Sequence, residues 1–270
     1  MSIDFIGSST SVGDVPRIVA VIAGATDQYP ALAAKAKEGK ADILEFRADF
    51  CHGMQPRAIK SLLLEVKRAA GLPVLLTIRQ FPEGGYFTGS ESERLDLFRS
   101  LLSEVDAVDV ELYAKTIRDD LVSAAHKAGK LVVLSYHNFK HTPRLSKINE
   151  IVEDAIFFKG DMLKIAVTAL AEDDVRMLSR FTAGFDREIL LTTISMGEAG
   201  TVSRVLNPFL GSCFTFGFVG DSPTTPGQIE VSELRQLIDA FPGQRITDVQ
   251  EAENLVHAAF EDCSRMPVCV

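Results

Sequence analysis

The stretch that decides the fold is "LVVLSYHNFKHTPRLSKINEIVEDAIFFKGDMLKIAV", residues 131–167. It begins with a nearly continuous apolar run at 131–137 and continues through apolar residues at helical spacing over 144–157. A second apolar run follows at 161–167. Continuous apolar runs of this length are typical of parallel strands that are covered on both faces. The stretch is therefore interpreted as one strand–helix–strand unit.

The same unit recurs along the chain. Six further strand-like runs, with helical patterns between them, lie at 18–24, 42–49, 73–79, 107–112, 188–195 and 213–218. Eight strands that alternate with helices predict an α/β fold, a single-domain (β/α)8 TIM barrel over residues 1–270, with an extra C-terminal helix at about 247–260. The alternative is an open doubly wound sheet. The first strand ends in "AGATDQYP", which lacks the Gly-rich turn that often follows the first strand of such a sheet.

Composition and charge narrow the class of protein. The net charge of −9, from 28 basic and 37 acidic residues, argues against a nucleic-acid or anionic-membrane partner. No apolar stretch approaches the roughly 20 residues of a membrane span, and the N-terminus lacks the pattern of a signal peptide. The four cysteines have neither a disulfide framework nor zinc-site spacing. We therefore expect a cytoplasmic protein.

Lys164 interrupts the apolar run at 161–167. A lysine is rarely fully buried without a partner, so one interpretation is that its amine extends outwards from the strand edge. In a (β/α)8 barrel, however, the carboxyl ends of the strands face the active-site mouth. Polar residues at equivalent positions on other strands favour an inward lysine; they are Glu45, Arg47, Asp49, Arg79, Glu83, His137 and Arg204.

The strand pattern also sorts the remaining polar residues. Glu45, Arg47 and Asp49 alternate along one strand and should point to the same face. Asp109 and Glu111 are expected to be structural. His137 and His141 have the i,i+4 spacing of a metal site, but His137 ends a strand, so a shared helix face is not expected. No metal site is predicted.

The motifs resemble those of the type I 3-dehydroquinate dehydratases. The matching segments occur in that family's order over residues 16–230, and they include "ADILEFRAD", "LLTIRQFPEGG", "SYHNFKHTP", "DMLKIAV", "MGEAGTVSR" and "TTPGQI". The resemblance implies a hydro-lyase of the shikimate pathway, which serves aromatic amino acid biosynthesis. It would convert 3-dehydroquinate to 3-dehydroshikimate through a lysine Schiff base. The resemblance further implies a homodimer and no metal or organic cofactor.

The resemblance also assigns roles by position. Lys164 matches the lysine that forms the imine, His137 the general acid and base, and Glu83 the carboxylate that orients this histidine. The residues implied to contact substrate are Glu45, Phe46, Arg47, Arg79, Met196, Arg204, Phe216, Thr224, Thr225 and Gln228. This chain departs from the family at Thr224-Thr225, where Ser-Ala is common, at Val21, where serine is common, and in an apparently shorter N-terminal hairpin.

These residue types suit the chemistry. A protonated imine makes the neighbouring C–H more acidic than a ketone does, and burial among apolar side chains disfavours the ammonium form of Lys164. Two alternatives remain from the residues alone. A sugar-phosphate aldolase would also use a strand-six lysine, but "GFVGDSPTTPGQ" at 217–228 is a poor phosphate site. A non-catalytic barrel that binds a small acid would explain the arginines but not Lys164 together with His137.

Overall fold

The computed structural model describes residues 16–240, 246, 250, 251 and 254. The eight strands are β1 (Arg17–Ile22), β2 (Ile43–Arg47), β3 (Val74–Thr77), β4 (Ala107–Glu111), β5 (Leu131–Asn138), β6 (Met162–Thr168), β7 (Leu190–Met196) and β8 (Phe214–Phe218). The helices of eight or more residues are α1 (Tyr29–Glu38), α2 (Pro56–Ala70), α3 (Glu91–Leu101), α4 (Arg118–Lys127), α5 (Leu145–Phe157), α6 (Glu172–Ala183), α7 (Ser203–Leu210) and α8 (Val231–Ala240).

These elements confirm the predicted alternation of strands and helices. Each apolar run forms a strand, and the segment after β7 forms the short helix α7. Of the predicted helix at about 247–260, the described residues Gln250, Glu251 and Asn254 are helical. The shorter N-terminal hairpin lies outside the described residues, and the single domain over 1–270 stays a prediction. Among the described residues, every helix is too short or too polar to cross a lipid bilayer.

The strands form one parallel sheet that curves into a nearly closed barrel. Its order is β7-β6-β5-β4-β3-β2-β1-β8, with β1 and β8 paired over five positions. Between β7 and β8, Cys213 N–H donates to the Leu191 carbonyl at 2.8 Å, and Phe214 N–H donates to the hydroxyl of Thr192 at 3.2 Å. Between these two strands, a side-chain hydroxyl replaces one backbone acceptor of the hydrogen-bond ladder. The contacts join β8 to β7, and the fold is a (β/α)8 TIM barrel.

The alternation of side chains along each strand produces two apolar layers. One fills the space between the sheet and the helices, and it includes Ile18, Leu44 and Leu163. The other fills the barrel interior, and it includes Val19 and Ile43. Since apolar packing surrounds the interior on all sides, a polar side chain inside the barrel needs its own partners.

Carboxylates fasten the amino-terminal end of the barrel. In each case, an aspartate immediately precedes an even-numbered strand. Its carboxylate accepts a hydrogen bond from a backbone N–H at the start of the strand before it. The pairs are Asp42 with Ile18, Asp106 with Val74 and Asp161 with Val132, at 2.7–2.8 Å. A buried backbone N–H that lacked such a partner would cost about 1–3 kcal/mol. The three contacts therefore stabilise the end of the barrel opposite the mouth.

Candidate active site

A pocket of about 510 Å³, counting its opening to solvent, lies at the carboxyl ends of the strands. Twelve of the thirteen residues predicted to act on or contact substrate line it: Glu45, Arg47, Arg79, Glu83, His137, Lys164, Met196, Arg204, Phe216, Thr224, Thr225 and Gln228. The lining also includes five residues to which no role was assigned: Val21, Gly84, Phe139, Ala166 and Ile194. The strand-end positions thus converge as the sequence predicted.

Phe46 is the exception, because its side chain does not line the pocket. Its ring is fully buried in the layer between sheet and helices, with the Tyr29 ring against it edge-on at 5.4 Å. The cause is strand alternation: Glu45 and Arg47 face the pocket, so the residue between them faces the opposite way.

Lys164 points into the barrel, so the outward interpretation is wrong. Only 5% of the residue is exposed, and its Nζ lies 3.2 Å from Oδ2 of Asp109 and 3.7 Å from Oε1 of Glu45. The Phe216 ring centroid lies 4.0 Å from the same Nζ, which adds a cation–π contact. Two carboxylates therefore pair with the amine, whereas the sequence pattern indicated only its burial among apolar side chains.

Asp109 belongs to this site and is more than a distant structural residue. Its Oδ1 accepts hydrogen bonds from Arg79 Nη2 and from the hydroxyl of Ser135, each at 2.6 Å. Burial raises the pKa of Asp109, but the charges of Arg79 and Lys164 outweigh this and hold the pKa below its ordinary range. Asp109 is therefore a carboxylate that anchors both cations.

Glu111, the other carboxylate of β4, is structural as predicted. It pairs with the fully buried Arg94 at 2.7 Å and accepts the backbone N–H of Gln80 at 2.9 Å. It also lies 3.3 Å from Arg79 Nη1. Through these contacts it supports the start of the loop that follows β3.

His137 and Glu83 form a pair at one side of the pocket. Nδ1 of His137 lies 2.9 Å from Oε2 of Glu83, which also accepts the histidine's backbone N–H at 3.2 Å. In the tautomer that satisfies this contact, Nδ1–H donates and Nε2 carries a lone pair. Burial lowers the pKa of His137 well below its ordinary range, and the charges of Arg79 and Lys164 reinforce this effect. The imidazole is therefore neutral at neutral pH.

Glu83 has an elevated pKa. Burial raises its pKa to about 7, and the nearby charge of Arg79 opposes the rise. The carboxyl group therefore changes protonation state close to neutral pH. Because its ionised form accepts the Nδ1–H of His137, the pair is poised for proton movement.

The loop after β3 holds Glu83 through close backbone contacts. Gly84 has φ of +77°, and a Cβ on Gly85 would lie 2.0 Å from the carbonyl oxygen of Arg79. Glycine is needed at both positions, for the left-handed turn at Gly84 and for the close approach at Gly85. The Phe139 ring lies over Gly84 and stacks on the imidazole of His137 at 6.2 Å between centroids.

Arg204 is a buried cation that no carboxylate among the described residues pairs with. It is 2% exposed, and it donates from Nε to the Gly227 carbonyl at 2.6 Å and from Nη1 to the Phe216 carbonyl at 3.2 Å. Its Nη2 is buried without a hydrogen-bond partner, and burial lowers its pKa to about 10. A buried, unsatisfied guanidinium is a ready binding site for an anion such as a carboxylate.

The loop after β8 folds over the same side of the pocket. Oε1 of Gln228 accepts hydrogen bonds from the backbone N–H and hydroxyl of Thr224 and from the N–H of Thr225, at 2.7–3.2 Å. The loop is seated against β7, since a Cβ on Gly227 would lie 2.4 Å from the Gly197 carbonyl. Both threonines line the pocket, so the additional methyl groups fit within this loop.

Among the described residues, no group of three or more His, Cys, Asp or Glu side chains is arranged to hold a metal ion. Two ionisable groups that line the pocket have carboxylate partners. Lys164 is paired with two carboxylates and His137 with one. The chemistry that this arrangement supports is amine nucleophilic catalysis combined with proton transfer.

A (β/α)8 barrel with such a pocket at the carboxyl ends of its strands defines a TIM-barrel enzyme. The sequence model of the family described as type I 3-dehydroquinase matches residues 17–244. The chain belongs to this family of hydro-lyases.

Individual relatives agree with this assignment. The 3-dehydroquinate dehydratase of Methanosarcina barkeri is 34% identical over 233 residues, which cover 84% of this chain and 96% of the relative. The 3-dehydroquinate dehydratase of Methanocella arvoryzae is 36% identical, and the match covers 81% of this chain and 94% of the relative. The crystal structure of the type I enzyme from Clostridium difficile, with covalently modified comenic acid, has a TM-score of 0.81 at 28% identity and covers 88% and 97%.

Proposed function

We propose that this enzyme removes water from 3-dehydroquinate to give 3-dehydroshikimate through an imine on Lys164. The observation that carries the proposal is the shared pocket, in which a buried amine and a neutral imidazole face the same enclosed space. A binding protein for a small acid needs neither group. An aldolase for sugar phosphates needs a phosphate site, and the loop after β8 instead packs its own backbone against Gly197.

The proposed reaction begins at Lys164. The amine loses its proton, attacks the ketone carbon, and the carbonyl oxygen leaves as water to give a protonated imine. Glu45 and Asp109 are the adjacent proton acceptors, at 3.7 and 3.2 Å. Asp109 is the poorer acceptor because its pKa is held below its ordinary range. We therefore assign the first proton transfer to Glu45.

His137 then carries the elimination. Nε2 takes the proton from the carbon next to the imine, and the C–H electron pair forms a neutral enamine. The enamine expels the β-hydroxyl, which leaves as water with the proton that His137 returns. Hydrolysis of the remaining imine frees the amine and the conjugated product. Glu83 holds the imidazole of His137 in the tautomer that these reaction steps need.

The rest of the pocket orients the substrate. Arg204 is assigned to the substrate carboxylate, because its Nη2 lacks a partner. Glu45 and Arg47 are assigned to hydroxyl groups, and Met196 and Phe216 to the apolar walls. Arg79 was assigned to a hydroxyl by resemblance, but its guanidinium is already engaged by Asp109, Ser135 and Glu111. We therefore propose that Arg79 mainly organises Asp109.

The relatives support this reaction. The matched proteins of Methanosarcina barkeri and Methanocella arvoryzae are named 3-dehydroquinate dehydratases. The Clostridium difficile structure contains covalently modified comenic acid, which supports covalent chemistry in this family. The place in the shikimate pathway and in aromatic amino acid biosynthesis stays a prediction. The homodimer and the cytoplasmic location stay predictions.

The test combines turnover with trapping. The enzyme is mixed with 3-dehydroquinate, and the conjugated enone is followed by ultraviolet absorbance. Borohydride is added in a parallel sample, and the modified peptide is identified by mass spectrometry. We expect turnover and an adduct on Lys164. We expect K164M to lose both, and K140M, which removes an exposed lysine, to keep both. Turnover without an adduct on Lys164 would overturn the imine.

A further inference from the structure

Asp49 is a buried carboxylate just beyond the end of β2, with no assigned part in the reaction. It is 2% exposed. Its Oδ1 accepts from Arg47 Nε at 2.8 Å, and its Oδ2 accepts from Arg47 Nη2 at 2.7 Å. The same Oδ2 also accepts the backbone N–H of Tyr86 at 3.1 Å. One side chain therefore contacts both an arginine that lines the pocket and the loop after β3.

The first contact fixes a guanidinium that lines the pocket. Two nitrogens of Arg47 are held in the planar, two-point geometry that carboxylate and guanidinium favour. The Phe50 ring lies under the same guanidinium, with its centroid 5.1 Å from Cζ. The arginine therefore presents its remaining edge to the pocket in one orientation.

The second contact fixes the loop that carries Glu83. Tyr86 lies three residues after Glu83, and its ring packs on Phe50 at 4.5 Å between centroids. Farther along, Phe87 N–H donates to the Arg79 carbonyl at 3.3 Å, so the loop is tied at its base as well. Asp49 and Phe50 thus join the loop after β2 to the loop after β3.

We propose that Asp49 is a positioning residue that acts through both loops. It orients Arg47 towards the substrate, and it keeps Glu83 in place against His137. The proposal rests on the proposed function, since it assigns Arg47 to substrate binding and Glu83 to the histidine. If Asp49 only formed a structural ion pair, its loss would lower stability. Its effect on the kinetic constants would then not depend on whether Arg47 or Glu83 is present.

A double-mutant cycle separates these two cases, because residues that act as a unit have non-additive effects. The variants are D49N, R47M, E83Q and the doubles D49N/R47M and D49N/E83Q. The matched control is D106N, which makes the same change in a carboxylate that accepts the Val74 N–H at the opposite end of the barrel. Thermal unfolding of every variant shows that it is folded before the enone assay is run.

We expect D49N to raise the KM for 3-dehydroquinate about tenfold and to lower kcat about tenfold, since charge-assisted contacts of this kind are among the stronger ones. In the R47M background, D49N should change KM by less than about threefold. In the E83Q background, it should change kcat by less than about threefold. D106N should keep both constants.

Three outcomes overturn the proposal. In the first, D49N has the kcat and KM of the wild type. In the second, D49N changes kcat and KM by the same factors in the wild-type, R47M and E83Q backgrounds, and in the third, D106N changes kcat and KM as much as D49N does. If D49N does not fold, D49E, which keeps the charge but moves it by one methylene, is run through the same cycle with the same criteria. Failure of the underlying function is distinct, because the unmodified enzyme would then show neither enone formation nor an adduct on Lys164.

Discussion

Oδ2 of Asp109 lies 3.2 Å from the amine of Lys164, while its Oδ1 binds Arg79 at 2.6 Å. A carboxylate from β4 therefore joins a cation that follows β3 to the lysine on β6. Each of the three side chains is at most 6% exposed, so water does little to screen these charges. The pair explains why an apolar strand can carry a lysine at its centre: the partner lies across the barrel interior.

The first prediction concerns this pairing. We expect D109N to lower the free energy of unfolding by about 3 kcal/mol at pH 7, because removal of one partner leaves buried cations without compensation. Urea denaturation measures the difference. D96N, which alters an exposed surface pair, should change it by less than about 0.5 kcal/mol.

The difference in the free energy of unfolding between wild type and D109N should depend on pH. The folded-state pKa of Asp109 is lowered, so its stabilisation is present above the unfolded-state pKa and is lost as the pH falls through the folded-state value. The gap between wild type and D109N should therefore narrow below about pH 4. A gap that widens with acid would contradict the assigned pairing.

The second prediction separates imine formation from proton transfer. We expect H137Q to form the borohydride-trapped adduct on Lys164 but to lose about 10²–10⁴-fold in kcat, the usual contribution of general acid–base catalysis. Adduct yield by mass spectrometry and enone absorbance measure the two steps. H126Q, which changes an exposed histidine in the last turn of α4, is the control. Unimpaired turnover in H137Q would remove this histidine from the mechanism.

The third prediction concerns Glu83. Burial raises its pKa to about 7, and its ionised form is the stronger acceptor for the Nδ1–H of His137. We expect kcat to rise with pH, with an apparent midpoint near 7, and E83Q to lose this midpoint. E65Q, on an exposed face of α2, should keep the wild-type profile. A flat wild-type profile between pH 5.5 and 8.5 would contradict the role of Glu83.

The fourth prediction concerns anion binding. We expect R204M to raise the KM for 3-dehydroquinate about 10–100-fold, because a charge-assisted contact contributes about 1.5–3 kcal/mol. The melting temperature should fall only modestly, since Arg204 donates to two backbone carbonyls but lacks a carboxylate partner among the described residues. Steady-state kinetics and calorimetry measure the two effects, with the exposed R68M as the control. A large loss of stability with unchanged KM would show that Arg204 is structural.

Much of this arrangement follows from the sequence. Continuous apolar runs define the strands because both faces of each strand are covered, and strand order then places Lys164 and His137 at one mouth. At Phe46, alternation along the strand alone gives the direction of the side chain. Its neighbours on either side face the pocket, so the residue itself had to face away.

Other features depend on three-dimensional curvature. Asp109 reaches Lys164 across the barrel interior, and no spacing within the sequence encodes that distance. The contact between Asp49 and the Tyr86 N–H joins two loops that are 37 residues apart, and it exists only because both loops adopt particular turns. Phe139 and Gly84 carried a weak signal, since both lie inside the motifs that identified the family.

The aspartates that fasten the amino-terminal end of the barrel bear on how this scaffold can change. Asp42, Asp106 and Asp161 hold pairs of strands at the rim farthest from the catalytic groups. Closure of the barrel therefore depends little on the loops that line the pocket. The loops after β2, β3 and β8 could therefore be redesigned for a different keto acid without loss of the aspartate contacts that stabilise the barrel.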